Sequence, residues 1–230
     1  MEPRLLLVHS PLVGCGTWEP IAEALAGDGY AVTVPDLGGT VTGMPPYHSR
    51  QAQVINKSAG AQPVVLIGHS GAGPVLATAG MMLGEQARGY IFVDAGLPMP
   101  GRSWMETVPP DLAAQLRGMA DPQGWLPPWS RWWGEEEMAA LLPDPVLRQR
   151  FAAECPRLPL ALFEEAHPLI PGWPNAPGGY LQLSEAYDGE AARAAELGWP
   201  VRMQLSHHLA LLTAPGQVAG EIRELVNCLG

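Results

Sequence analysis

The chain has 230 residues, of which 47% are hydrophobic and 16% are charged, and its formal net charge is −10. A chain of this size and apolar content can bury most of its unfolded surface in one core, so we expect one globular domain. The acidic balance excludes a nucleic-acid-binding surface, which needs clustered Lys and Arg side chains. The apolar run at residues 5–8 is too short to span a membrane and follows no basic leader, so the sequence predicts a soluble, cytoplasmic protein without membrane contact.

Cysteine and lysine usage give further expectations. The three cysteines, Cys15, Cys155 and Cys228, are widely spaced and odd in number, which favours reduced thiols over a disulfide framework. There is no CxxC pair and no dinucleotide fingerprint, so the sequence predicts neither a bound metal nor another cofactor. Lys57 is the single lysine among 13 basic residues, a usage typical of a GC-rich bacterial genome.

Four short apolar runs in the first half of the chain predict buried strands. They are residues 4–9, 30–34, 63–68 and 88–94. A helix with Ile21 and Leu25 on its apolar side follows the first run, and the small residues 71–80, which follow the third, can pack a helix closely on a sheet. Strands and helices that alternate through short loops indicate parallel pairing with right-handed crossovers. The prediction is an α/β fold with an open, mostly parallel sheet and helices on both faces.

The alternating pattern stops at Ala95-Gly96. Residues 99–176 are rich in Pro and Trp with short helical pieces, near 111–118 and 135–142, and we interpret them as an inserted helical cap. The strand pattern resumes at 179–184 and 200–205, with helices predicted at 189–197 and 217–229. The predicted core is therefore residues 1–98 and 177–230, with about six strands in a single domain.

A nucleophile motif follows the third predicted strand. Gly68-His69-Ser70-Gly71-Ala72-Gly73 lies between a strand and a helix, the context that a nucleophile elbow requires. Small neighbours are needed because the backbone at such a serine is strained and crowded. Ala72 stands where the usual pattern has glycine, and a structural βα turn is the alternative interpretation.

Several segments together resemble the α/β-hydrolase superfamily over nearly the whole chain. In order they are VHSPLVG (8–14), VPDLGG (34–39), GHSGAG (68–73), FVDAGLP (92–98) and SHHLALLTAP (206–215). The resemblance implies a hydrolase fold that begins at the third of the family's eight strands, without the first two antiparallel strands. It also implies a Ser–His–acid triad with Ser70 as nucleophile.

A serine hydroxyl needs a base within hydrogen-bond reach, and histidine has a suitable pKa. His207 and His208 are the candidates. In the superfamily the histidine lies about seven residues before a proline that starts the final helix, and the spacing from His208 to Pro215 matches, so His208 is preferred.

Three carboxylates compete for the third position of the triad. Glu185 and Asp188 follow the predicted strand 179–184, where most of the superfamily carries its acid, but Tyr187 falls at the aligned position. Some members carry the acid one strand earlier, where Asp94 stands, and a carboxylate at the buried end of a strand needs a reason to be there. We favour Asp94, with Glu185 next.

The oxyanion hole departs from the superfamily pattern. Its first amide donor would come from Gly71, after the nucleophile, and the second from the residue two past His9. That residue is Pro11, which has no N–H. Leu12 could donate if the loop shifts by one residue; otherwise the hole is reshaped or the chemistry differs.

Tryptophans concentrate in the predicted cap, where they could line a substrate site or form a small core of their own. They are Trp104, Trp125, Trp129, Trp132, Trp133 and Trp173. The residues predicted to contact substrate are Pro11, His69, Trp104, Trp129, Trp132 and Trp133. Glu164, Glu165 and His167 resemble a metal half-site only superficially, and we interpret them as a solvated helix end.

Three functions fit these features. The first is a serine hydrolase that acts on an ester, lactone or thioester of an apolar or cyclic small molecule through an acyl-enzyme on Ser70. The second, motivated by Pro11, is a lyase, cyclase or isomerase that uses Ser70 and His208 as acid and base. The third is a non-catalytic small-molecule-binding module. Oligomeric state is not predicted.

Overall fold

The structure, a computed structural model, describes residues 3–229. Its strands are β1 (Arg4–Val8), β2 (Val32–Thr33), β3 (Val64–His69), β4 (Ala87–Val93), β5 (Trp125–Leu126), β6 (Leu158–Pro159), β7 (Gly178–Gln182) and β8 (Val201–Met203). Its helices are α1 (Glu19–Gly27), α2 (Tyr47–Ala59), α3 (Gly73–Leu83), α4 (Pro110–Met119), α5 (Glu135–Leu141), α6 (Pro145–Glu154), α7 (Leu160–Glu164), α8 (Asp188–Glu196), α9 (Ala210–Thr213) and α10 (Pro215–Cys228). Short 3₁₀ turns join several of them.

Six of the strands within residues 3–229 form one parallel sheet in the order β2-β1-β3-β4-β7-β8. The remaining two, β5 and β6, pair antiparallel and lie between β4 and β7 in the chain. The predicted open, parallel α/β sheet is therefore confirmed. Met1, Glu2 and Gly230, which the predicted core includes, lie outside the described residues.

The central strands are apolar at successive positions because both faces of the sheet are covered. Leu6, Val8 and Leu66 on one face belong to a buried cluster that includes side chains of α2, α3 and α8. Leu5 and Leu7 on the other face belong to a second cluster with side chains of α1 and α10. Helices on both faces account for the strands' continuous apolar sequence.

Helix α2 was not predicted from the sequence. Its buried residues have helical spacing, but polar side chains interrupt the apolar stripe at His48 and Gln51. Both residues line a cavity instead of packing into the sheet core. A stripe that faces a cavity carries a weaker hydrophobic signal than one that faces a core.

The chain between β4 and β7 leaves the sheet and forms α4 to α7 and the β5–β6 pair. Leu116, Leu126 and Leu162 are buried in a cluster of this segment, which Tyr47 at the start of α2 also joins. None of the helices within residues 3–229 is both long and apolar enough to cross a membrane.

The loops that follow the carboxyl ends of parallel strands carry Ser10, Ser70, Asp94, Ser184 and His208. Because these ends meet at one edge of a parallel sheet, residues far apart in sequence come together there.

Candidate active site

Ser70 follows β3 directly, in a turn that holds its backbone in the left-handed region with φ of 57°. The neighbours must be small. A β-carbon at Gly68 would lie 2.9 Å from Cδ1 of Leu76, and one at Gly73 would overlap the Gly96 carbonyl. Ala72, at the usual glycine position, fits because its methyl group is buried in the core. This is the strained turn that a nucleophile elbow requires.

Two hydrogen bonds link Ser70 to His208 and Asp94. The Ser70 hydroxyl lies 3.0 Å from Nε2 of His208, and Nδ1 of His208 lies 2.7 Å from Oδ2 of Asp94. The carboxylate holds the proton on Nδ1, which leaves Nε2 to accept the serine proton. Nε2 of His69 donates to the His208 carbonyl at 3.0 Å, which helps to fix the loop. The arrangement has the geometry of a nucleophile, a base and an orienting acid.

Asp94 is fully buried, also with a left-handed backbone, at φ of 43°. Its Oδ1 accepts hydrogen bonds from the amides of Leu183 and Ser184 at 2.9 and 3.0 Å, and its Oδ2 accepts from the Ser184 hydroxyl at 2.6 Å. Burial alone would raise the pKa of Asp94, but the hydrogen bonds from His208, Ser184 and Leu183 outweigh it and lower the pKa below its ordinary value. Asp94 therefore remains ionised beside the imidazole.

The other candidates for base and acid have different partners. His207 accepts from the Leu209 amide at 3.2 Å through Nδ1, and its Nε2 lies 2.8 Å from the Thr213 hydroxyl. Asp188 accepts from the Gln182 side chain, and Glu185 is exposed. None of the three is hydrogen-bonded to Ser70 or His208.

Tyr187 covers one face of the His208 imidazole. The two rings are nearly parallel, at 8°, with centroids 5.3 Å apart, and Trp129 lies 6.2 Å away at a steeper angle. Burial raises the pKa of Tyr187 to about 12, so its phenol keeps its proton at neutral pH. Tyr187 therefore places a neutral ring against the imidazole of His208.

The loop after β1 has an unusual supply of hydrogen-bond donors near Ser70. Pro11 has no N–H, and the amide of Leu12 donates to Oγ of Ser10 at 3.3 Å. The same oxygen lies beside Gly71, where a β-carbon would be 2.9 Å from it. The Leu12 amide, predicted as an alternative donor, is thus engaged by a side chain of its own loop.

A cavity of about 1060 Å³ opens beside Ser70. Its lining includes, from the predicted substrate contacts, Pro11, Trp104, Trp129, Trp132 and Trp133. Leu12, Gly71, His207 and His208 also line it. His69 does not line this cavity. Its ring packs against that of His208, with centroids 4.5 Å apart, and borders a separate small recess. Trp173 packs against Tyr90 and Trp199 in the core.

Most of the cavity wall is apolar, but one part carries His48, Gln51 and His167. The rings of His48 and His167 stack with centroids 3.8 Å apart. Burial, together with His48, lowers the pKa of His167 to about 3, and burial also lowers the pKa of His48. Both imidazoles are therefore neutral near pH 7.

Glu165 has a structural contact that the sequence did not predict. Its carboxylate accepts from the backbone amides of Tyr47 and His48 at 2.7 and 3.0 Å, which satisfies the first turn of α2. The interpretation of this segment as a solvated helix end was wrong for Glu165, because the carboxylate joins the segment after α7 to α2, and for His167, whose ring stacks on His48.

Sequence reasoning missed several residues around the site. Ser184 supports Asp94, and Ser10 lies beside Gly71. Their signal was weak: Ser10 follows the predicted strand 4–9 and Ser184 ends the predicted strand 179–184, at the edge where Ser70 also lies. His48 and Gln51 could have been found as polar residues at apolar positions of a helical stripe.

Comparison with known proteins identifies the family. A sequence profile of the alpha/beta hydrolase family matches residues 5–221. No curated protein sequence is significantly similar to the chain. Among solved structures, an extracellular alpha/beta-hydrolase from a Paenibacillus species superposes with a TM-score of 0.80 at 18% identity, covering 97% of this chain and 98% of that one.

Two further structures share the fold. Polyneuridine aldehyde esterase superposes with a TM-score of 0.73 at 17% identity, covering 98% of this chain and 99% of its own. A variant of tomato methylketone synthase I, complexed with beta-ketoheptanoate, superposes with a TM-score of 0.74 at 18% identity, covering 100% of this chain and 99% of that one. At such identities the similarity extends to the fold alone, and these names cover more than one activity.

Proposed function

Because the chain belongs to the alpha/beta hydrolase family, we propose that it is a serine hydrolase. Its substrate is a carboxylic ester, lactone or thioester of an apolar or cyclic small molecule, cleaved through an acyl-enzyme on Ser70. The observation that carries the proposal is the hydrogen-bonded series Ser70–His208–Asp94, with distances of 3.0 and 2.7 Å, at the edge of a large cavity.

The roles follow from this geometry. His208 takes the proton of the Ser70 hydroxyl as its oxygen attacks the carbonyl carbon, and then gives that proton to the leaving group. Asp94 stabilises the imidazolium that forms between these steps. Water then attacks the acyl group, His208 takes the water's proton, and the Ser70 oxygen leaves and recovers a proton.

The cavity supports the substrate class. Side chains of Trp104, Trp129, Trp132 and Trp133 on its wall favour apolar or ring-containing groups. We assign residues 99–176 as the cap that shapes this cavity, and residues 3–98 and 177–229 as the described part of the catalytic core. A small molecule is the proposed binding partner.

The first test is intact-mass analysis after incubation with a fluorophosphonate. We expect one adduct per wild-type chain, on Ser70, because His208 activates that hydroxyl. Neither Ser70→Ala nor His208→Ala should form it, and Ser70→Ala should not turn over activated esters. Absence of an adduct on folded wild-type protein, or unchanged turnover by pure Ser70→Ala, would contradict the hydrolase proposal.

A second candidate keeps Ser70 and His208 as acid and base in a lyase, cyclase or isomerase. The observation that favours it is in the oxyanion loop, where Pro11 has no N–H and the Leu12 amide bonds to Ser10. A trapped acyl group on Ser70 during turnover would exclude this candidate. It would also exclude a non-catalytic binding module.

A further inference from the structure

The oxyanion loop supplies one backbone donor fewer than acyl transfer requires. The attack of Ser70 moves an electron pair onto the substrate's carbonyl oxygen, and donors already in place beside that oxygen stabilise the charge. Gly71 offers its amide. The loop after β1 offers no N–H at Pro11, and the Leu12 amide already donates to Oγ of Ser10 at 3.3 Å.

The side chain of Ser10 lies beside the residue that carries the first donor, Gly71. Its oxygen would be 2.9 Å from a β-carbon on Gly71. Ser10 and Ser70 also border the same recess, which has a volume of about 10 Å³ and which Leu12 and His208 border too. The two serines therefore face one common space. A recess of this volume holds about one water-sized atom.

The position of Ser10 is fixed by its surroundings. Only 1% of its surface is exposed. Nδ1 of His9 donates to the Ser10 carbonyl at 2.8 Å, and the Val13 amide donates to the same oxygen at 3.2 Å. Nε2 of His9 in turn accepts from the Leu37 amide at 3.0 Å, which places the histidine proton on Nδ1. The loop is thus held before any substrate arrives.

The hydrogen bonding of the Ser10 hydroxyl leaves its proton available. A hydroxyl carries one donor and two acceptor lone pairs. The Leu12 amide uses one lone pair, and none of the hydrogen bonds among residues 3–229 uses the Ser10 proton. Donation from Leu12 also polarises the hydroxyl and strengthens it as a donor, because linked hydrogen bonds reinforce one another.

We propose that the Ser10 hydroxyl is the second donor of the oxyanion hole, beside the Gly71 amide, and replaces the amide that Pro11 lacks. This inference rests on the proposed hydrolase function. As the Ser70 oxygen bonds to the carbonyl carbon, the serine proton moves to His208 and the carbonyl π pair moves to its oxygen. Ser10 donates a hydrogen bond to that oxygen and keeps its proton throughout. Ser10 is therefore a catalytic residue of the acylation and deacylation steps.

The test compares wild type with Ser10→Ala. Two quantities are measured: kcat and KM for an activated ester, and the second-order rate of fluorophosphonate labelling at Ser70. We expect kcat and the labelling rate to fall roughly 10²-fold, the usual loss for one oxyanion donor, with KM changed by less than about threefold. Ser10→Thr keeps the hydroxyl and should recover most of the activity. Ser58→Ala, which removes a serine hydroxyl from α2, is the control for differences in expression and purification between variants.

A second variant tests the same contact without altering Ser10. Gly71→Ala keeps the first amide donor, but its new methyl group would meet Oγ of Ser10 and turn that hydroxyl away. We expect Gly71→Ala to lose a similar factor in kcat. The double variant should lose little more than either single one, because both changes remove the same interaction.

The outcomes separate this inference from the hydrolase proposal. If wild type is labelled on Ser70 and Ser10→Ala is labelled at an equal rate, Ser10 is not the donor, and the released Leu12 amide is the alternative. A Ser10→Ala variant with raised KM and unchanged kcat would also overturn the inference, since the hydroxyl would then contact only the bound ground state. Failure of wild type to be labelled at all would instead contradict the hydrolase function.

Discussion

Two residues of the candidate triad occupy strained backbone. Ser70 has φ of 57° and Asp94 has φ of 43°, values that cost roughly 1–3 kcal/mol for residues other than glycine. The surrounding contacts hold both residues in place: the Leu183 and Ser184 amides bind the Asp94 carboxylate, and the close β3–α3 turn holds Ser70. Such strain at the ends of β3 and β4 aims a hydroxyl and a carboxylate at the same imidazole.

Asp94→Asn tests whether Asp94 is the acid of the triad. The amide keeps the shape of the carboxylate, but it cannot stabilise a positively charged His208, so we expect kcat for an activated ester to fall roughly 10³- to 10⁴-fold. The rate of fluorophosphonate labelling should fall with it. If Asp94→Asn stays within tenfold of wild type while Glu185→Gln loses activity, the acid is Glu185.

The unit formed by β3 and α3 depends on glycines that let backbone segments approach closely. Gly73, the first residue of α3, packs against the Gly96 carbonyl after β4, and Gly80 packs against the Tyr90 side chain in β4. These contacts bring α3 close to the sheet and place Ser70 beside the loop that carries Asp94. The small-residue run predicted as a closely packed helix therefore positions the site.

Gly73→Ala tests this packing. The new β-carbon would overlap a backbone oxygen that cannot rotate away, so we expect the free energy of unfolding to fall by about 1–3 kcal/mol. Gly220→Ala is the matched control, because Gly220 lies inside α10 and the added carbon would meet no atom within 4 Å beyond its own neighbouring helix backbone. The free energy of unfolding of Gly220→Ala should rise by up to about 1 kcal/mol, because alanine has a higher helix propensity than glycine. Urea denaturation measures both, and equal stability of the two variants would contradict the packing argument.

At the scale of the whole molecule, three buried histidines and the half-buried His167 are held in their neutral form. Burial is the largest cause of the lowered pKa values of His9, His48, His69 and His167, and those of His69 and His167 fall to about 3. The unfolded chain binds protons on these side chains near pH 6.5, whereas the folded protein does not. The stability that depends on their neutral form is present above about pH 6.5 and is lost as the pH falls below that value, down to about 3 for His69 and His167.

His167→Gln measures one of these contributions. His167 faces the ring of His48, which Glu165 contacts from the segment after α7, and the variant removes one group that must be protonated on unfolding. Between pH 6.5 and 4 we expect the variant's free energy of unfolding to fall less steeply than that of wild type, by at most about 1.4 kcal/mol per pH unit. Urea denaturation across this range provides the comparison. Parallel curves would show that His167 protonates equally in both states.

Local sequence was sufficient for much of the fold. Apolar runs predicted the six sheet strands, and the strand–Ser70–helix context predicted the turn after β3, because each signal lies within a few adjacent residues. Helix α2 escaped prediction because His48 and Gln51, which face a cavity, interrupt its apolar stripe and weaken the periodic signal. The same applies to Glu165, whose partners in α2 are more than 100 residues away.

The sequence by itself determined the class of fold, the candidate nucleophile and a short set of partners for it. Only the tertiary structure brought Asp94, rather than Glu185 or Asp188, to the imidazole of His208, and turned the Leu12 amide toward Ser10. Asp94 and His208 are 114 residues apart, and they meet because β4 and β8 end at the same edge of the sheet. Contacts of this kind depend on strand order and loop path, which no local pattern of residues encodes.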